Sequence, residues 1–158
     1  MERAVNGDPS GIERITGVAV PEGWVDEESW LLNYRFDQLR RDPTAGPWLL
    51  RIIVAREPQP RMIGYINFHG PPSPEGWAEV GYEILPPYRR QGYATEAVKA
   101  LFDWAHREHG VKRFRASVSP LNEASLALIK RLGFGPVGTQ WDERDGEEIV
   151  FERDWPPA

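Results

Sequence analysis

At 158 residues the chain has the size of one domain, and its 41% hydrophobic content, with 7 Trp, 5 Tyr and 6 Phe, excludes a disordered segment. The absence of cysteine excludes a disulfide scaffold, a zinc–thiolate site and a thiol nucleophile, and a net charge of −5 argues against nonspecific nucleic-acid binding. No apolar run is long enough to cross a bilayer, and MERAVNGDPSGIER has no apolar stretch to act as a secretory signal, so a cytoplasmic protein with one domain over residues 1–158 is expected.

In chain order, residues 9–16 read as a short helix. Asp26 is placed to cap a stronger one, in which Trp30, Leu31, Tyr34 and Leu39 share a face up to Pro43. Trp48–Ala55 and Met62–His69 are rich in Ile, Leu, Val and aromatics and read as strands, and the EPQPR segment between them suits a hairpin. A third strand runs from Trp77 to Leu85 and stops at Pro86-Pro87. Ala94, Ala97, Val98, Leu101, Phe102 and Ala105 then recur as one helical stripe, which Gly110 ends. Phe114–Val118 reads as a strand, and Asn122 opens a helix through Leu132 that Gly133 closes. Val137–Trp141 and Ile149–Phe151 flank a turn at Asp145-Gly146. This order predicts a mixed α/β (α+β) domain, with a mostly antiparallel central sheet flanked by helices.

The chemistry concentrates where the third strand meets the strongest helix. The first N–H groups of a helix lack internal partners and carry the positive end of its dipole. Gly92 lets a ligand approach the backbone there, and Pro86 to Thr95 holds Arg89 and Arg90 but no acid. This is an anion site suited to a pyrophosphate; the plainer alternative is a tight turn with two solvated arginines. The segment matches neither a dinucleotide-binding G-x-G-x-x-G nor a P-loop.

Arg89-Arg90-Gln91-Gly92-Tyr93-Ala94 resembles the [QR]-x-x-G-x-[GA] acyl-CoA motif of the GNAT N-acetyltransferase superfamily. The flanking AEVGYEILPPYR and Thr95-Glu96-Ala97, with Asn122-Glu123-Ala124-Ser125 and Leu132-Gly133-Phe134 downstream, resemble its Rim-type branch of ribosomal-protein N-terminal acetyltransferases. The similarity extends over residues 48–155. It implies a GNAT-type fold and acetyl transfer from acetyl-CoA to a primary amine, on a small molecule or a peptide N-terminus, without a metal. Nucleic acid and membrane are not expected partners, and a homodimer is left open. The competing reading is a non-catalytic acyl-CoA-binding or regulatory domain. Two departures stand out. The family's first strand is absent or reduced to Val18–Val20, and a tyrosine that many relatives carry on the last helix is replaced by Ile129.

By the same resemblance, Glu79 is the general base. Glu83 lies on the same strand face as Glu79, and is either the alternative base or a like charge that raises the pKa of Glu79. The alternative is that both are solvent-facing strand carboxylates. Backbone N–H groups at Ile84 and Leu85 would hold the thioester carbonyl, and Arg89, Arg90, Gln91, Gly92, Tyr93, Ala94 and Thr95 the pyrophosphate. Asn122 would contact the CoA arm and Ser125 would assist the leaving thiolate, unless they serve only as helix cap and first-turn residue.

His106 and His109 lack a third metal ligand and read as solvated residues near a helix end. Trp24, Trp30, Trp48, Trp77 and Trp104 read as core, with one of the first two a candidate for the acceptor pocket. The acidic stretch Asp142–Glu148 reads as a solvated hairpin tip, with attraction of a cationic acceptor as the alternative.

Overall fold

A computed structural model describes residues 9–56 and 58–157. The expectations placed on residues 1–8, on Glu57 of the EPQPR hairpin and on Ala158 lie outside the described residues. Helix α1 covers Pro9–Thr16, α2 Trp24–Glu27 and α3 Ser29–Arg41, followed by a 3-10 turn at Pro43–Trp48. Strands β1 (Arg51–Ala55), β2 (Arg61–Phe68) and β3 (Trp77–Ile84) come next. A 3-10 turn at Pro86–Tyr88 then leads into α4 (Tyr93–His109). The chain continues through β4 (Arg113–Val118), α5 (Glu123–Arg131), β5 (Gly135–Asp142) and β6 (Gly146–Asp154).

The six strands form one sheet in the order β1-β2-β3-β4-β6-β5. Every pairing is antiparallel except β3 with β4, so the expected mixed, mostly antiparallel sheet is what forms. The parallel pair is short: only Trp77↔Arg113, Ala78↔Phe114 and Glu79↔Arg115 face each other, and the strands then part. The reduced first strand is a single parallel bridge, Ala19↔Arg61. The Met62 N–H donates to the Ala19 carbonyl at 2.9 Å, which covers part of the β2 edge.

The main core lies between the sheet and helices α4 and α5. Val98, Leu101, Phe102 and Ala105 are buried there as their helical spacing predicts, against Phe68, Phe114, Phe134 and Trp155. Phe102 and Phe114 stack at 3.9 Å between ring centroids. A second cluster of Val18, Val20, Trp24, Val25, Leu32 and Met62 joins the N-terminal helices to the sheet.

Several boundaries differ from the sequence expectation. β1 starts at Arg51, because Trp48 closes the proline-bearing 3-10 turn and is buried in the core. Asp26 caps nothing: it lies inside α2, which opens at Gly23 without a side-chain cap. The buried face of α3 is Leu31, Leu32 and Arg35, whereas Trp30 is 53% and Tyr34 48% exposed. A sequence stripe specifies that two residues share a face; it does not specify which way the face turns.

Ile129 is fully buried among the α5 core residues, so a group at that position faces the core rather than the cleft. Ile129→Tyr should therefore add no catalytic acid and should destabilise the fold by about 3 kcal/mol through overpacking and a buried hydroxyl. Urea unfolding with an unchanged midpoint would contradict this placement.

Candidate active site

The separation of β3 from β4 determines which backbone groups face the cleft. The Leu85 N–H donates to the Ile63 carbonyl at 2.9 Å and the Glu79 carbonyl accepts from the His69 N–H at 2.9 Å, so both point toward β2. Because a strand alternates the direction of its amides, those of Tyr82 and Ile84, beyond the last paired residue Glu79, turn to the side where β4 has moved away. The expected role of the Leu85 N–H at the thioester is thereby corrected: it belongs to the sheet. The Ile84 N–H faces the cleft, and the Ile84 carbonyl already accepts from Arg89 Nε at 2.7 Å.

At the start of α4, Gly92 has φ 87° and no side chain caps the helix. A Cβ built on Gly92 would meet nothing within 4 Å, so the approach is open. The first helical hydrogen bond, Glu96 N–H to the Gly92 carbonyl at 3.1 Å, leaves the amides of Tyr93, Ala94 and Thr95 ahead of the ladder. Arg90 is also left-handed, at φ 62°, a conformation uncommon for a residue with a side chain. These features fit a pyrophosphate, with one correction to the sequence reading. Arg89 is not a free cation, because Glu83 from β3 reaches its Nη2 at 3.2 Å.

On the other face of the sheet, a cavity of 390 Å³ lies between α3, strands β2 and β3, and the β5–β6 turn. Its walls include Glu28, Trp30, Tyr34, Tyr65, Glu83 and Arg144. Trp30 and Tyr34 stack at 5.3 Å, and the Arg144 guanidinium lies 4.4 Å from the centre of the Trp30 ring. The hairpin tip, read from the sequence as solvated or else as attracting a cationic acceptor, forms part of a pocket wall. Asp142 caps that turn by accepting from the N–H groups of Arg144 and Asp145.

Glu79 is at the inner end of this face. Its Oε1 accepts from Ser117 Oγ at 2.5 Å and lies 3.8 Å from His69 Nδ1, close enough for charge but too long for a hydrogen bond. Only 12% of the Glu79 side chain is exposed, against 49% for His69, so the imidazole is the group an entering amine meets. Burial of its inner surface holds His69 below its ordinary pKa, an effect Glu79 opposes and Arg35 reinforces. Gly81 creates the space: a Cβ there would come within 2.9 Å of His69 Nε2. The other like charge near Glu83 is Glu28. Burial first and Glu83 second raise the Glu28 pKa, and the Tyr65 hydroxyl contacts both carboxylates.

Asn122 caps α5 by accepting from the Ser125 N–H at 3.1 Å. The Tyr82 phenol reaches toward Ser125 from β3. Its oxygen is buried without a well-formed hydrogen bond among the described residues, and burial raises its pKa, partly offset by the Ser125 hydroxyl. His106 Nδ1 meets the Val111 carbonyl at 2.9 Å, and His109 stacks on Trp48 and Trp104, so both are built into the end of α4.

Sequence reasoning missed His69, Ser117, Arg35 and Tyr82. His69 follows the end of β2 and Ser117 lies in β4, and only the way these strands pair with β3 brings them to Glu79. Tyr82 had a signal, since strand alternation places it opposite Glu79 and Glu83.

The acetyltransferase (GNAT) domain family matches residues 2–135. The uncharacterized N-acetyltransferase YoaA of Bacillus subtilis is 34% identical over 85 residues, which is 54% of this chain and 48% of that protein. The chain thus spans about half the length of that curated relative. The acetyl transferase from Salmonella typhimurium that modifies the N-terminal serine of ribosomal protein L7/L12 superposes with a TM-score of 0.65. Its identity is 19%, over 84% of this chain and 76% of that one. A ribosomal L7/L12 α-N-protein acetyltransferase, RimL, in complex with coenzyme A gives 0.64 at 18% identity, over 82% and 72%. At these identities the structures share the fold.

Gly92→Asp should abolish stabilisation by coenzyme A, which at 100-fold above Kd is about 2.7 kcal/mol for the wild type. Gly92→Asn tolerates the left-handed backbone without adding charge and should retain part of it. Equal thermal shifts in all three proteins would remove the pyrophosphate from this helix start.

Proposed function

The chain belongs to the GNAT acetyltransferase domain family, and from that membership we propose that it is an acetyl-CoA-dependent N-acetyltransferase acting on a primary amine. The observation that carries this reading is the opening between β3 and β4. It has the uncapped start of α4 at one end, and the His69–Glu79–Ser117 cluster lies on the opposite face of the sheet.

The thioester supplies the acetyl group, and the protein's work is to bind it, orient it and move two protons. The amides of Tyr93 to Thr95 hold the pyrophosphate, and the cleft-facing edge of β3 aligns the pantetheine arm as an added strand. The Ile84 N–H donates to the thioester carbonyl as charge builds on its oxygen.

An attacking amine must be neutral. At pH 7.5 a lysine-type amine needs roughly 4 kcal/mol to lose its proton, an α-amine about 0.4 kcal/mol. His69 accepts that proton, and Glu79, oriented by Ser117, stabilises the imidazolium that forms. The C–N bond then forms and the thioester C–S bond breaks. The sulfur leaves as a thiolate and takes a proton delivered by the Ser125 and Tyr82 hydroxyls. The bonded nitrogen sheds its second proton, which restores the hydroxyl relay through solvent; the products are the N-acetyl amine and coenzyme A, and the first proton, taken from the ammonium, passes to solvent through His69. A tyrosine is already protonated at neutral pH and burial raises the Tyr82 pKa further, so the side chain is present as the phenol.

The Salmonella transferase modifies an N-terminal serine, hence an α-amine. A histidine pKa pushed below its ordinary 6.5 suits such an acceptor better than a lysine side chain.

Neutral His69 is the active form, and it is lost only as pH falls through its lowered pKa. The rate should therefore fall on the acid side, with a midpoint below 6.5. His69→Gln should remove that limb and lower kcat/KM by about 100-fold. Glu79→Gln should slow high-pKa amines more than α-amines. An unchanged acid limb in His69→Gln would pass the base role to Glu79 alone.

A further inference from the structure

Resting on the acetyl transfer proposed above, we propose that the acceptor is a free amino acid, with its carboxylate held by Arg35 while its amine faces His69.

Arg35, on α3, is 4% exposed and lines the cavity. Its Nη1 donates to Gln38 Oε1 at 2.7 Å and to the His69 carbonyl at 3.2 Å, and its guanidinium lies 5.2 Å from the centre of the Tyr34 ring. No carboxylate pairs with it among the described residues. Its Nε is buried without a partner, so the guanidinium, which can grip a carboxylate with two parallel hydrogen bonds, lacks part of the pairing its charge calls for. A buried cation without a counter-ion is costly, and a ligand carboxylate removes that cost.

The cavity's own acids do not fill this role. Of the four that line it, Glu28, Glu83, Asp142 and Asp145, none pairs with Arg35 among the described residues: Glu83 is paired with Arg89, Tyr65 contacts both Glu28 and Glu83, and Asp142 is engaged by two turn amides.

A second buried group points to the same ligand. Asn67 is 2% exposed, donates from Nδ2 to the Gly81 carbonyl at 2.9 Å, and keeps an Oδ1 with no partner. That oxygen is an acceptor waiting for an N–H.

His69 joins the two demands. Its carbonyl touches the arginine and its ring faces Glu79, so a carboxylate site and a proton acceptor flank a single residue. An α-amino acid carries an amine and a carboxylate on one carbon, the two groups these adjoining partners call for. A peptide N-terminus offers a neutral carbonyl in place of the charge.

The test measures thiol release from acetyl-CoA with four sets of acceptors. These are the common amino acids, their carboxamides, the corresponding decarboxylated amines, and tripeptides with the same N-terminal residue. Calorimetry of amino acids against the protein saturated with coenzyme A supplies a binding readout independent of turnover.

At least one amino acid should exceed its own carboxamide by about 100-fold in kcat/KM, because the amide leaves the buried guanidinium uncompensated. Arg35→Gln should bring the acid down to the level of the amide, and Arg35→Lys should recover part of the difference. Carboxamides, simple amines or tripeptides used as well as the free acids would overturn the proposal while leaving acetyl transfer intact. If no amine is acetylated, yet an amino acid binds the wild type and not Arg35→Gln, acetyl transfer fails and the carboxylate site stands. Absence of both binding and transfer would overturn the carboxylate site. Should Arg35→Gln fail to fold, the acid-to-amide ratio of the wild type decides alone.

Discussion

The structure depends on three rungs of parallel pairing. β3 and β4 meet from Trp77 to Glu79 and then diverge, so the remaining main-chain groups on that side of β3 have no strand partner. A sheet interior that leaves amides open is unfavourable unless something else pairs with them. An extended ligand arm satisfies that requirement. On the proposed reading, the same divergence would admit an acyl group from the side of α4 and α5 and an amine from the side of α3. The two substrates need not share an entrance, and the sheet itself separates them.

The two faces differ in electrostatics as well as in access. The α4 start presents uncapped amides and the dipole of a 17-residue helix, a fixed positive end that needs no ionisable group. The opposite cavity is built from ionisable side chains that largely offset one another. Glu28 and Glu83 share a tyrosine hydroxyl, Asp142 closes its own turn, and buried Arg35 has no carboxylate partner among the described residues. The cofactor side therefore relies on backbone geometry and the acceptor side on charge.

His69 illustrates how local rigidity serves chemistry. Its N–H bonds to the Glu79 carbonyl, its own carbonyl is held by Arg35 and Gln38, and its ring occupies the space above Gly81. An imidazole positioned by its backbone at both ends loses little freedom when an amine arrives. Glu79 is similarly restrained by Ser117, a residue on the adjacent strand.

The elements of this protein were legible in its sequence because local patterns encode them. The stripe from Ala94 to Ala105, Gly110 and Gly133 as helix ends, Asn122 as a cap and Pro86-Pro87 as a strand stop all act within a few residues, where spacing and backbone preference decide the outcome. The glycine-bearing start of α4 was legible for the same reason. The acceptor side was not. Trp30 and Tyr34 share a stripe with Leu31 whether the stripe turns inward or outward, and only the packing of α3 against β2 and β3 buried Leu31 and Arg35 and exposed the aromatics. Ser117 met Glu79 through a parallel register that no local signal specifies, and Glu83 reached across a turn to Arg89. Ile129 looked like a vacated cleft position and proved to be core. Periodicity in a chain reports which residues are neighbours on one element, while the partner of a charge across strands depends on how elements pair in three dimensions.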